Sequence, residues 1–271
     1  MKKRIFIVSI LLALFVSITI LTTDGPVFAK ETITYACSAQ IYDALEQKRI
    51  EAFTKRTGIA VEVHVCSSAS ALNSVRNGYS DIAASARRLY PRHREYGYWE
   101  TIFSRDPMAV IVNAENPVSN LSIEDLRDIF SGNIAMWNEV AGGVEKPILL
   151  VVPGKNTAAF KNFERRPMQR APIVYDIMTF KSTMVTQILE RFPNAISFIA
   201  RGVVDHEGVK TLKIDGVDPK DPDYPFYQLF SFVTKGKPSG AVKQFVDDVL
   251  SGEGKKIMVD RGMTPLSGDA K

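Results

Sequence analysis

Val61, Val63 and Val65 alternate with polar residues, a period of two that predicts a strand over Ile59 to Val65. The strand runs into Cys66-Ser67-Ser68-Ala69-Ser70, small residues rich in hydroxyls. Leu72 and Val75 share one face of a short helix, which Asn77-Gly78 stops. Asp81 to Ala84 predicts the next strand, closed by Ser85. A strand, a small polar turn and a helix start aim backbone N–H groups, hydroxyls and the positive end of a helix dipole at one spot, which suits an anion. The same pattern is also that of an ordinary βα turn with a serine cap.

The motif recurs along the chain. Thr32 to Ala36 predicts a strand, Cys37-Ser38-Ala39-Gln40 a polar turn, and Ile41, Leu45 and Phe53 a helix ending near Thr57-Gly58. Ile148 to Val152 predicts a buried strand. It meets Pro153-Gly154-Lys155-Asn156-Thr157, with a helix starting at Ala158. Further strands are expected at Met108 to Asn113, Ala195 to Ala200, Val209 to Ile214 and Tyr227 to Thr234. Helices are expected from Ser122, which caps with Asp125, around Met184 to Leu189, and over Ala241 to Leu250 and Gly254 to Val259. Between Ser85 and Met108, arginines are mixed with Tyr90, His93, Tyr96, Tyr98 and Trp99, a pattern expected of a solvated, partly helical connection; Arg87 or Arg88 is the candidate to reach back to an anion. Strands alternating with helices predict an α/β fold with parallel pairing and with the polar turns at C-terminal strand ends.

At the N-terminus, Lys2-Lys3-Arg4, an apolar run from Ile5 to Leu21 and Val27-Phe28-Ala29 predict a secretory signal, residues 1–29, cut after Ala29. An uncleaved anchor is the alternative. The product is expected in the periplasm or outside the cell. A net charge of +4, scattered along the chain, does not point to nucleic acid. The sequence has no G-x-S-x-G, P-loop or G-x-G-x-x-G, so neither an enzyme nor a bound cofactor is expected. His64 near Cys66 is a weak metal signal, and no metal site is expected.

Asn116 to Val140, NPVSNLSIEDLRDIFSGNIAMWNEV, resembles a signature of the phosphate-binding proteins that serve bacterial ABC-type uptake transporters. Pro193-Asn194-Ala195-Ile196-Ser197-Phe198 and the tail from Thr234 to Leu266 are similar to two further motifs of that family, in the same order. The resemblance implies a type II periplasmic-binding-protein fold: two α/β lobes, two crossing strands near Met108–Asn113 and Phe226–Val233, and the ligand in the cleft between the lobes. Lobe 1 is expected from residues 30–108 and 227–271, and lobe 2 from 109–226. It implies a monomeric solute receptor that hands a small oxyanion, phosphate or similar, to a permease. A sensor of the same fold reporting to a membrane partner is the alternative. The ligand residues expected are Ser38, Ser67, Ser68, Ser70, Arg87, Lys155, Asn156 and Thr157.

The chain departs from the family pattern where that family touches phosphate. Ala39 stands where a threonine hydroxyl is usual, Ala86 where an aspartate accepts the phosphate proton, and Val151 where an arginine precedes the third loop. Losing a fork donor forfeits charge-assisted hydrogen bonds worth about 1.5–3 kcal/mol each. The two cysteines, Cys37 and Cys66, end strands expected to be neighbours, and an exported pair predicts a disulfide between them. Free thiols facing a thiophilic ligand are the competing reading.

Overall fold

The computed structural model describes residues 31–204 and 207–269; the expected signal segment and His206 lie outside them. No helix among the described residues is long and apolar enough to cross a membrane.

The chain opens with β1 (Thr32–Ser38), which leads into a continuous helical run: α1 (Ala39–Ile41), a π-helical turn over Tyr42–Glu46, and α2 (Gln47–Thr57). Gly58, at φ 75°, ends that run in the left-handed region that favours glycine. β2 (Ala60–Cys66), α3 (Ser68–Arg76) and β3 (Ile82–Ser85) follow. β1 lies between β2 and β3, parallel to both, as the alternation of strands and helices requires. A short α4 (Pro91–Glu95) then precedes β4 (Tyr98–Asn113), a strand of 16 residues.

β4 starts ten residues before the apolar run at Met108 that marks it in the sequence. Its first part carries Glu100, Arg105 and Asp106, with Pro107 closing it. The buried charges are satisfied by distant partners: Glu100 accepts from Arg88 Nε at 3.0 Å and Ser231 Oγ at 3.1 Å, and Asp106 from the backbone of Gly202 at 3.0 Å. From Tyr98 to Pro107 this strand pairs antiparallel with β11, and from Met108 to Val112 with β8. It thereby passes from one half of the sheet to the other.

The second half begins with β5 (Asn120–Leu121) and α5 (Ile123–Ser131). Ser122 Oγ accepts from Asp125 N at 2.9 Å and Asp125 Oδ2 from Ser122 N at 3.1 Å, completing the expected capping box. β6 (Leu149–Pro153), α6 (Ala158–Arg165), β7 (Ile177–Thr179), α7 (Met184–Arg191), β8 (Ala195–Ala200), β9 (Val209–Thr211) and β10 (Lys213–Ile214) complete it. β6 runs parallel to β7 and β8. β11 (Tyr227–Lys235) returns to the first half between β3 and β4, and α8 (Gly240–Leu250), α9 (Gly252–Asp260) and β12 (Thr264–Asp269) close the chain. The resulting sheet has the order β2-β1-β3-β11-β4-β8-β6-β7, with β9 and β12 also on β4.

Each half has its own aromatic nucleus. Tyr35, Phe53, Phe232 and Phe245 meet in edge-to-face and tilted pairs in the first, with ring centroids 5.1–6.1 Å apart. In the second, Phe163 stacks on Phe198 at 3.7 Å beneath Phe130. A buried phenylalanine contributes about 1.5–3 kcal/mol, so these clusters are a large part of what holds each half together.

The expected disulfide is not formed: Cys37 and Cys66 are both free. The parallel register pairs Cys37 with Val65 and Ser38 with Cys66. Side chains alternate faces along a strand. The one-residue offset therefore sends the two thiols to opposite faces of the sheet, although their strands are neighbours.

Candidate functional site

The C-terminal ends of β1, β2, β6 and β7 converge on one cavity of about 860 Å³. That volume lies within the range of about 300–1,000 Å³ usual for small-molecule sites. From the first half the cavity takes Ser38 and Gln40, then His64 to Ser68 and Ser70; from the second, Gly154 to Ala158 and Met178 to Ser182. It thus brings together seven of the eight residues expected from the sequence: Ser38, Ser67, Ser68, Ser70, Lys155, Asn156 and Thr157. Arg87 does not line it. Ser85 Oγ accepts from Arg87 N and donates to Arg87 O, each at 2.9 Å, and the tight turn carries the arginine to a separate cavity with Arg165 and Arg170.

The hydroxyls differ in how far they are already committed. Thr157 Oγ1 accepts from Phe160 N at 3.2 Å and donates to Gly154 O at 2.7 Å, so it caps α6 in full. Ser67 Oγ caps α3, accepting from Ser70 N at 3.1 Å. Ser68, buried, accepts from Ala86 N at 3.1 Å and keeps its proton to donate. Ser38 precedes the first helical run but makes no side-chain cap bond. The first-turn N–H groups of α3 and α6 lack acceptors within their own helices, as at any helix start, and both helix starts line the cavity. Gly154 admits the third turn: a Cβ there would stand 3.0 Å from the Thr179 carbonyl oxygen.

The charge at the cavity has one sign. Lys155 and Lys181 line it, and no Asp or Glu does among the described residues. Lys155 Nζ sits 5.1 Å from the centre of the Tyr175 ring, a contact that positions the ammonium without neutralising it. Lys181 escaped the sequence reading because it follows β7, a three-residue strand with no periodic signal. Only the pairing of β7 with β6 brings it to the site. Ala86 and Val151 are buried apolar residues, and no arginine lines the cavity among the described residues.

The thiols do not behave as soft-ligand donors. Burial pushes the Cys66 thiol up to about 11, and burial also pushes the buried Cys37 thiol well above its ordinary value. Both are protonated near neutral pH, whereas the thiolate is the ligand form. No cluster of His, Cys, Asp and Glu that could hold a metal ion occurs among the described residues.

Behind the cavity a buried polar network joins the two halves. Gln228 on β11 donates to Asp106 Oδ2 at 3.2 Å and accepts from Asn162 Nδ2 at 2.9 Å, with the amide of Gln40 at 3.4 Å. Asn162 Nδ2 also donates to Ala86 O at 3.0 Å. This network is not legible from local pattern, because its members are isolated polar residues inside elements otherwise marked by their apolar positions.

Comparison with known proteins places this architecture. A family model described as the PBP superfamily domain matches residues 22–253. The phosphate-binding protein PstS of Bacillus subtilis is 30% identical over 166 residues, 59% of this chain and 55% of that relative; the match thus spans about half of the relative's length. A crystal structure of a phosphate ABC transporter substrate-binding protein from Clostridium perfringens, with bound phosphate, superposes with a TM-score of 0.79 at 23% identity, covering 88% of this chain and all of that one. An ABC-type phosphate transport receptor from Vibrio cholerae gives 0.66 at 24% identity, covering 86% and 99%. The chain belongs to the PBP superfamily and has the two-lobed α/β fold of its binding proteins, with the cavity between the lobes.

Proposed function

We propose that this protein is an exported solute receptor that captures a small oxyanion of the phosphate class between its lobes and delivers it to the permease of an ABC-type importer. One observation carries the reading. Strand-end turns from both halves of the sheet meet at a single cavity whose fixed charges, Lys155 and Lys181, are both positive. Helix starts there supply N–H donors, and Ser38 and Ser68 supply hydroxyl donors. The Bacillus subtilis relative and the two solved structures named above are named for binding phosphate or for phosphate transport.

Two lysines act as point charges, whereas an arginine grips an oxyanion bidentately. Without an acid at Ala86, the site also has no carboxylate to accept a phosphate proton among the described residues. A fully deprotonated tetrahedral anion is therefore accepted about as well as phosphate, and discrimination between the two is weak. The lobes correspond to residues 30–108 with 227–271, and to 109–226, with β4 and the segment entering β11 as the crossings. The cavity exceeds what one tetrahedral anion fills, so capture involves closure of the halves about those crossings.

A thermal-shift series with phosphate, arsenate, sulfate, molybdate and tungstate tests the reading. A ligand at a hundred times its Kd adds about 2.7 kcal/mol to stability. Stabilisation by at least one of these anions is expected. Stabilisation by none of them, with the protein folded, contradicts it.

A further inference from the structure

Arg87, Arg165 and Arg170 line a second cavity of about 520 Å³ that is separate from the central one. We propose that it binds a small polyanion, a molecule carrying two or more linked phosphate-like groups. Among the described residues Glu164 is the one acidic residue at this cavity, and it pairs with Lys161 at 3.0 Å. Arg88 is held by Glu100 at 3.0 Å. Arg87, Arg165 and Arg170 have no carboxylate partner among the described residues, and the hydrogen bond of Arg165 to Asn162 Oδ1, at 3.4 Å, is to a neutral group. Burial, and then the neighbouring Arg166 and Arg170 with Arg87, hold the Arg165 guanidinium below its ordinary range, so these cations face one another uncompensated.

The backbone is bent to bring them together. Gln169 and Arg170 both adopt positive φ, 50° and 72°, and Arg170 N donates to Glu164 O at 2.7 Å, folding the turn after α6 back onto its last residues. Left-handed non-glycine residues carry a strain cost that the surroundings must offset. A solvated basic face needs neither this turn nor like charges gathered around one concavity. Guanidinium forks, absent from the central site, are the groups suited to bidentate phosphate contacts. The volume is larger than one tetrahedral anion fills and lies in the usual range for small-molecule sites. Arg87 follows β3 in the first half, whereas Arg165 and Arg170 belong to the second, so the polyanion touches both halves.

Calorimetric titration of the full-length exported protein with tripolyphosphate and pyrophosphate tests this, with inorganic phosphate titrated separately. The double variant Arg165→Ala/Arg170→Ala is expected to bind tripolyphosphate at least about tenfold more weakly. Its response to phosphate stays at wild type, since both residues lie outside the central cavity, and it stays folded with a cooperative unfolding transition, since both side chains are largely exposed. Arg165→Lys/Arg170→Lys recovers part of the charge and little of the affinity. Unaltered tripolyphosphate binding by the alanine variant, or no binding by the wild type, overturns the proposal. So does loss of tripolyphosphate binding in Lys155→Ala/Lys181→Ala alone, which puts the polyanion in the central cavity. The phosphate titration reports on the central site independently, so the two readings can fail separately.

Discussion

Asn162 Nδ2, on the first helix after the Lys155 turn, donates to the backbone carbonyl of Ala86 at 3.0 Å and thereby ties the two halves of the sheet behind the cavity. The same nitrogen donates to Gln228 Oε1 at 2.9 Å. Asn162→Ala leaves the buried Ala86 carbonyl without this donor and Gln228 Oε1 with only the longer bond from Gln40, at 3.4 Å. A loss of about 1–3 kcal/mol is expected, read as a lower urea midpoint. An unchanged midpoint shows that water replaces the amide.

Lys155 and Lys181 set the charge of the cavity. Lys155→Ala is expected to cost about 1.5–3 kcal/mol of anion affinity and to reduce its salt dependence, since a charge-assisted bond is lost. Calorimetry at two salt concentrations checks this. Wild-type affinity and salt dependence would make Lys155 a surface residue that happens to lie near the cavity.

Ser38 and Thr157 separate two roles of a hydroxyl. Thr157 is spent on its helix cap, so Thr157→Ala costs about 1 kcal/mol of stability and little affinity. Ser38 makes no cap bond, so Ser38→Ala lowers affinity and leaves stability nearly unchanged. Paired unfolding and binding measurements on the two variants give opposite patterns. Identical patterns contradict the assignment.

Asp106 makes stability depend on pH. Burial pushes its carboxyl up to about 7 from an ordinary 3.8, against the donors of Gly202, Gln228 and Arg201. A carboxyl raised in the folded state stabilises the protein fully below its unfolded value. That contribution is lost as the pH rises through the window from 3.8 to about 7. Urea midpoints of the wild type relative to Asp106→Asn should therefore fall across that window and level off above it. A parallel pair of curves shows that Asp106 stays ionised.

Both cysteines are expected to react once the chain is unfolded without reductant, giving two alkylated thiols by intact mass. Cys37 is buried and Cys66 half-buried, so labelling of the folded protein is slow. A mass showing no alkylation after unfolding would mean the two are bonded.

The alternation of Val61, Val63 and Val65 marks β2, and Ser122 with Asp125 marks the start of α5, because period and capping are local properties. Seven of the cavity residues were visible for the same reason: each lies in a small polar turn after an apolar strand. The first part of β4 was not visible. Glu100 and Asp106 are tolerable inside a sheet only because Ser231, Arg88 and the Gly202 amide reach them from elsewhere in the chain. The cysteines show the same limit. Neighbouring strands bring them near, but a one-residue register decides which face each thiol takes, and the sequence does not encode that offset locally.

The central claim is that an oxyanion sits in the cavity between the strand-end turns. Arsenate has the shape and charge of phosphate and scatters anomalously, so a crystal soaked with it locates the anion directly. The account predicts a strong peak within about 2.6–3.2 Å hydrogen-bond reach of donors from both halves, including Ser68 Oγ and the α6 helix start. A crystal with arsenate ordered elsewhere and none in this cavity, at a concentration that stabilises the protein in solution, would contradict it.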